Sequence, residues 1–204
     1  KKRFGPDTEL GERKTEIRNA PSAVVIPLEA LIDREPVTIL CSTEGWVRAA
    51  KGHLENLSDI KYKEGDRHRF AMHAQTTDKL IIFASNGRFY TVPADRLPGG
   101  RGFGEPIRIM VDLPNDQDIV AMMVHDPERK LLVTSSDGRG FMVAEKDVIA
   151  QTRSGKQVLN LSDGVEAAVC VPADGDHVAV VGQNKKLIIF PVGELPEMSR
   201  GRGV

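Results

Sequence analysis

Short apolar runs separated by tight turns recur along most of the chain. Residues 79–102 read KLIIFASNGRFYTVPADRLPGGRG, which predicts a strand, a turn at Asn86-Gly87, a second strand and a loop rich in glycine and arginine. Short runs of β-branched or aromatic residues, bounded by Asn-Gly or Asp-Gly, are typical of β-hairpins. Helix signals are scarce, so the pattern predicts an all-β chain.

The same pattern occurs four times. Aligning Gly87 with Gly138 and Lys185 brings residues 79–97, 130–148 and 177–195 into register. Apolar residues then follow each turn by three, five and ten positions: Tyr90, Val92 and Leu97, then Phe141, Val143 and Val148, then Ile188, Phe190 and Leu195. A more divergent copy, with its turn at Gly45, comes first. The turns lie 42, 51 and 47 residues apart, and a period of this size is typical of propellers and other repeat arrays.

The repeats predict a propeller-like disc. Each copy holds about four short strands and cannot bury its own apolar faces, so neighbouring copies must stack around an axis. We therefore predict four-stranded blades, about four to five of them, in residues 23–204, with the last blade incomplete in this chain. Residues 1–22 are charged and turn-rich and are predicted to be a linker.

Composition narrows the class of protein. No stretch approaches the roughly 20 consecutive apolar residues of a membrane span, and the first residues lack the apolar core of a signal peptide, so we expect a cytoplasmic protein. The two cysteines, Cys41 and Cys170, each lie inside an apolar, strand-like run. We predict that both are buried thiols rather than metal ligands or a disulfide.

The distribution of charge matters more than its sum. A formal net charge of −1 argues against a nucleic-acid partner, but acidic residues such as Asp112 and Asp116 crowd the connections between repeats. Basic residues recur just after each turn and again in the loop that follows the second strand. We predict that they form a curved basic surface for DNA phosphates while the acids face elsewhere, the alternative being that they only keep the strands soluble. The predicted DNA-binding residues are Arg48, Lys51, Arg88, Arg101, Arg139, Arg153, Lys156, Lys185, Lys186, Arg200 and Arg202.

Longer stretches resemble one family. Residues 34–53, REPVTILCSTEGWVRAAKGH, preceded by FGPDTELGERKTEI at 4–17, closely resemble the join between the catalytic core and the C-terminal domain in the A subunit of bacterial topoisomerase IV (ParC). Residues 87–107, 130–143 and 187–203 resemble successive blades of that domain, so the resemblance covers essentially the whole chain. It implies a β-pinwheel, a disc of strand-exchanged blades that binds and bends DNA and presents DNA segments to the enzyme core for decatenation and relaxation.

The gyrase A protein is the alternative within the family. Its C-terminal domain carries the box Gln-Arg-Arg-Gly-Gly-Lys-Gly in the first repeat, where this chain has Ala49-Ala50-Lys51-Gly52-His53. The nearest remnant is QTRSGKQ at 151–157, in a later repeat. By resemblance, loss of the box goes with loss of full DNA wrapping.

No catalytic centre is visible in the sequence. Tyr90 lies at a repeated apolar offset and is predicted to be core, and Tyr62 lies in a polar segment without a matching constellation. The resemblance therefore implies part of an ATP-dependent type II topoisomerase, and we expect this fragment to be inactive and monomeric, without a cofactor of its own. For the whole enzyme it also implies Mg²⁺ and ATP. The implied partners are double-stranded DNA, the ATPase B subunit (ParE) and the remainder of the ParC protein, at the bacterial nucleoid. The other alternative is a propeller scaffold for protein partners.

Overall fold

The computed structural model describes Thr8 and residues 32–182 and 184–204, and the fold is all-β, as predicted. The predicted linker, residues 1–22, lies outside the described residues except for Thr8. In the part of the chain that is described, no helix has the length and apolar character needed to cross a membrane. The strands are β1 (Pro36–Ser42), β2 (Trp46–Lys51), β3 (His68–Gln75), β4 (Lys79–Ala84), β5 (Arg88–Pro93), β6 (Glu105–Pro106), β7 (Ile119–Val124), β8 (Lys130–Ser135), β9 (Gly140–Ala144), β10 (Lys156–Gln157), β11 (Ala167–Pro172), β12 (His177–Val181) and β13 (Leu187–Pro191).

These strands form four antiparallel sheets, one for each predicted repeat. Their orders are β3-β1-β2-β6 in sheet 1, β10-β5-β4-β7 in sheet 2, β11-β8-β9 in sheet 3 and β12-β13 in sheet 4. Within the described residues, sheets 1 and 2 have the predicted four strands, sheet 3 has three, and sheet 4 is a two-stranded hairpin.

Neighbouring sheets exchange strands. Strand β6 follows β5 in the chain but pairs with β2 of sheet 1, and β10 follows β9 but pairs with β5 of sheet 2. The chain end repeats the exchange, because Val204 and Gly140 of β9 donate backbone hydrogen bonds to each other. We call the segments that lead into these three pairings the first, second and third exchange loops, residues 98–104, 149–155 and 196–203.

The four predicted turns all occur, and each needs a left-handed backbone. The φ angles are +77° at Gly45, +73° at Gly87, +84° at Gly138 and +60° at Lys185. Glycine adopts this region at no steric cost, whereas a side chain is strained there. Gly87 is also crowded, since an added Cβ would overlap the carbonyl oxygen of Leu159.

The core fills the spaces between sheets. One cluster lies between sheets 1 and 2 and another between sheets 2 and 3. Strand β4 contributes to both, because Leu80 and Ile82 point to the first cluster while Ile81 and Phe83 point to the second. Tyr90 is 1% exposed, which confirms that it is core.

Both cysteines are buried, as predicted. Cys41 and Cys170 are 0% and 5% exposed, and neither is in a disulfide. Burial raises the pKa of each thiol to about 12, so both thiols are protonated and unreactive at neutral pH.

Candidate nucleic-acid interface

The exchange loops are built alike. Each follows a single-turn 3-10 helix, and each ends at a glycine with positive φ next to a strand of the preceding sheet. An added Cβ at Gly104 would overlap the carbonyl oxygen of Val47, and one at Gly203 would overlap that of Gly140. At Gly155 the added Cβ would lie 2.8 Å from the Phe89 carbonyl oxygen. Glycine is therefore required where each loop meets its sheet.

An exposed arginine lies on every exchange loop. Arg101, Arg153 and Arg200 were predicted at equivalent places, and all three side chains are exposed. Among the residues that the structure describes, Arg101 makes no hydrogen bond or ion pair. The Nε of Arg200 donates to the Asn160 Oδ1 at 3.2 Å. Both guanidinium groups have donors left for a phosphate.

Arg153 is more constrained than its counterparts. It donates to the Ile109 carbonyl oxygen, and its Nε lies 3.6 Å from a carboxylate oxygen of Asp112. The prediction that the acids face away from the basic loops is therefore wrong for Asp112. This exposed pair has little energetic weight, but it lowers the positive potential at the second loop.

Other predicted side chains also lie on or beside these loops. Arg202 donates to the Ser162 hydroxyl at 2.6 Å, Lys156 donates to the Asp147 carbonyl oxygen, and the Lys51 Nζ lies 3.4 Å from Glu35. At the turns, Arg139 lies 3.6 Å from Asp137, and Lys185 and Lys186 are exposed. All six basic residues are exposed.

Arg48 and Arg88 do not lie on the exposed surface with the others. Arg48 is 7% exposed; it donates to the carbonyl oxygens of Gly102 and Lys61 and lies over the Tyr62 ring. Arg88 is half-buried and donates to the Ser154 carbonyl oxygen at 3.0 Å. These side chains hold the first and second exchange loops. Spacing gave no sign of this, because Arg88 follows Gly87 by one residue just as the exposed Arg139 follows Gly138.

A buried carboxylate fixes the start of the second exchange loop. Glu145 is fully buried in the 3-10 helix Glu145–Asp147. It accepts hydrogen bonds from the Arg129 Nε at 2.6 Å and from the Asp126 backbone at 2.7 Å. The bond to Glu145 raises the pKa of Arg129, and sequence reasoning missed this pair because nothing in the repeat pattern marks it.

The structure gives Tyr62 a local structural role. Its hydroxyl lies 2.8 Å from the His68 Nδ1, and burial, the largest influence, raises its pKa. Beside it, the Lys63 Nζ lies 3.3 Å from the centre of the Trp46 ring. In the described part of the chain, no group of three or more His, Cys, Asp or Glu side chains could hold a metal ion.

Comparison with known proteins gives a consistent result. A family model described as the DNA gyrase C-terminal domain, a beta-propeller, matches residues 78–126, 129–169 and 176–204. The chain is 46% identical to the A subunit of DNA topoisomerase 4 from Rickettsia bellii over 99% of its own length, and 31% identical to that from Escherichia coli over 94%. It spans 27% and 26% of those two proteins.

Solved structures agree with the sequence comparison. The E. coli ParC C-terminal domain matches with a TM-score of 0.78 and 33% identity. The match covers 83% of this chain and 70% of the E. coli chain. A DNA gyrase A C-terminal domain matches with a TM-score of 0.58 and 19% identity, over 83% of this chain and 59% of the gyrase chain. This match shows a shared fold alone.

Proposed function

Since the chain belongs to the family of DNA gyrase C-terminal domains, which includes that of the topoisomerase IV protein ParC, we propose that it binds and bends double-stranded DNA. The observation that carries the proposal is the repeated exchange loop. Three loops of similar construction present exposed arginines at corresponding places on successive sheets. Of the predicted basic residues, the arginines on these loops are exposed in all three copies of the loop.

The loops suit phosphates better than bases. Arginine makes strong charge-assisted bonds to phosphate oxygens, and glycine-rich backbone allows a close approach of the duplex. The described residues contain no helix of more than a single 3-10 turn, and a major groove is read by a longer helix or a β-ribbon. Binding is therefore independent of base sequence and sensitive to salt.

Contacts on successive sheets favour bent DNA. Sheets related by a regular rotation place their loops along a curve, and a duplex that follows the curve reaches more of them. Bending a site of 20–30 bp by 40–90° costs on the order of 1–6 kcal/mol, which a few added phosphate contacts offset. The domain then presents a bent DNA segment to the rest of an enzyme.

We place this activity in the ParC protein of a bacterial topoisomerase IV. The domain contributes DNA binding, and catalysis lies in the parts of the enzyme that this chain does not span. On this assignment, the whole enzyme decatenates and relaxes DNA, requires Mg²⁺ and ATP, and has the ATPase ParE as a partner. It works at the nucleoid in the cytoplasm. The fragment alone is monomeric and inactive.

A salt series tests the binding. If about four to six phosphates are neutralised, log K for a plain duplex falls against log salt concentration with a slope of about −4 to −5. A flat salt response with no affinity for DNA would favour the protein scaffold, and a consensus from random-sequence selection would contradict phosphate readout.

Substitution of the loop arginines tests the surface. Replacing Arg101, Arg153 and Arg200 by Ala weakens binding several-fold or more and reduces the salt slope by about one unit per arginine, while thermal unfolding stays unchanged. The matched control replaces Arg34, Arg67 and Lys79, three exposed basic residues outside the exchange loops, and changes net charge equally. Equal loss in both variants would mean that net charge, not the loops, governs binding.

DNA topology distinguishes bending from gyrase-like wrapping. Of the gyrase-box remnant at 151–157, Arg153 and Lys156 already bond to carbonyl oxygens of this domain, which favours bending alone. We expect energy transfer between the ends of a short duplex to rise on binding, with little linking-number change in a nicked circle ligated with the domain. A large change would restore the wrapping assignment.

A further inference from the structure

Phe103 is an exposed aromatic side chain in the first exchange loop, one residue before its closing glycine. It is 44% exposed, more than any other Phe, Tyr or Trp in residues 32–182 and 184–204. The other aromatic side chains there are buried or half-buried in sheets and their covering loops. An aromatic residue is normally buried, so its position on a polar, glycine-rich loop requires a reason.

The loop around Phe103 is held firmly. The Ala49 backbone donates to the Pro98 carbonyl oxygen at 2.8 Å at one end, and Val47 pairs with Glu105 at the other. The buried Arg48 guanidinium donates to the carbonyl oxygen of Gly102, the residue before Phe103. The ring is therefore presented on a fixed backbone, which lowers the entropy that binding must overcome.

Cationic side chains line two clefts at the first exchange loop. Arg101, exposed and without a partner in the described residues, lies two positions before it and lines a cleft of about 710 Å³ with Lys51. Phe103 itself lines a neighbouring cleft of about 350 Å³ with Arg48 and Lys61. Asp59 and Glu105 line the same clefts, so a ligand that contacts Phe103 meets an apolar ring among four cationic and two acidic side chains.

The second and third exchange loops lack an aromatic side chain at this position. The residue before the closing glycine is Ser154 in the second loop and Arg202 in the third. Both can contact a phosphate, and neither can separate two stacked base pairs. The first exchange loop therefore differs from the other two because it carries an aromatic side chain before its closing glycine, where they carry polar or charged ones.

We propose that Phe103 is a wedge that inserts between adjacent base pairs of bound duplex DNA and fixes the position of the bend. The proposal rests on the proposed DNA-binding function. Apolar side chains inserted at a base step unstack it and kink the duplex, and burial of the side chain offsets part of the unstacking cost. Arg101 meanwhile binds a phosphate beside the opened step.

The test compares an intact 30-bp duplex with the same duplex carrying one central mismatch, using the full chain. Because a mismatched step is already partly unstacked, we expect wild type to bind it about tenfold more tightly than the intact duplex. Phe103→Ala binds both duplexes alike and bends the intact one less, measured by end-to-end energy transfer. Phe103→Trp keeps the preference, and so does Ile189→Ala, which removes an aliphatic side chain of 59% exposure from β13.

A 2-aminopurine base at the duplex centre provides a direct readout. Its fluorescence rises when wild type binds and stays low with Phe103→Ala at saturating protein. If Phe103→Ala keeps both the mismatch preference and the fluorescence rise, the proposal that Phe103 is a wedge is overturned. Phe103 is then assigned to a protein contact, and the proposed DNA binding is unaffected. If wild type binds neither duplex, the proposed function fails first.

Discussion

The pentapeptide Lys-Leu-Ile-Ile-Phe occurs twice in this chain with opposite outcomes. In β4 it spans residues 79–83, and its last four side chains are at most 1% exposed. The second copy spans residues 186–190, with 187–190 in β13, and Leu187, Ile188 and Ile189 are 58–59% exposed. The four apolar residues form a β-strand in both places, so local sequence decides the strand and not its burial.

Neighbouring sheets make the difference. Strand β4 has β5 and β7 at its edges and an apolar cluster on each face. Strand β13 pairs with β12 alone, and an open apolar groove of about 400 Å³ separates the hairpin from sheet 3. Burial in this fold is therefore a property of position in the array.

The largest expected effect comes from one substitution made in both copies. Ile82→Ala leaves a cavity in a closed core and lowers the free energy of unfolding by about 2–5 kcal/mol. Ile189→Ala, at the same place in the second pentapeptide, lowers it by less than about 1 kcal/mol because the side chain is already in water. Urea unfolding measures both, and equal losses would mean that the hairpin is covered in solution.

The second test uses the turns. Gly87→Ala forces a Cβ against the Leu159 carbonyl oxygen at a left-handed position and costs about 3 kcal/mol. Gly138→Ala has similar φ but no atom within 4 Å of the new Cβ, so it costs only about 1 kcal/mol. A similar cost for both would show that φ alone matters and that the approach of residue 159 to the turn is unimportant.

Much of the fold could be predicted from sequence because hairpin signals are local. The four turns, and the core positions of Tyr90 and Val92, follow from turn residues and two-residue alternation. The partners of the exchanged strands could not be predicted, since β6 joins β2 across a long stretch of chain and carries only two paired residues. The exposure of Ile188 could not be predicted either, because Ile188 follows its turn by three residues, as the buried Phe141 does.

The candidate site was predicted in part for a related reason. Arg101, Arg153 and Arg200 follow from repeat spacing. The inward direction of Arg48 depends on carbonyl groups of residues 61 and 102, which no spacing rule reveals, and the importance of Phe103 appears only when its exposure is known.

The third test uses the cysteines, which lie in enclosed sheets. Burial raises the pKa of Cys41 from 9.0 to about 12, so the unfolded chain releases this proton at lower pH than the folded chain. Stability is unaffected below pH 9 and falls as pH rises from 9 towards 12. Wild type should lose about 1.4 kcal/mol more than Cys41→Ala between pH 8 and pH 10.

A thiol in the hairpin is the control for that measurement. Ala179 in β12 is exposed, so Ala179→Cys adds no loss of this kind above pH 9. An added loss equal to that of Cys41 would mean that β12 is as enclosed as β1.

The smallest expected effect is a gain at Lys185, the only non-glycine residue with positive φ in the described part of the chain. Lys185→Gly relieves the left-handed strain but frees the unfolded backbone, so the net gain is below about 1 kcal/mol. Because most side chains of the hairpin are exposed, this gain should slow amide exchange in β12 and β13 without moving the global unfolding midpoint. Lys186→Gly, one residue later, brings no such relief and should speed exchange. If Lys185→Gly raises the midpoint of global unfolding instead, the hairpin unfolds together with sheets 1 to 3. The two pentapeptides would then differ in exposure but not in whether they unfold with the rest of the domain.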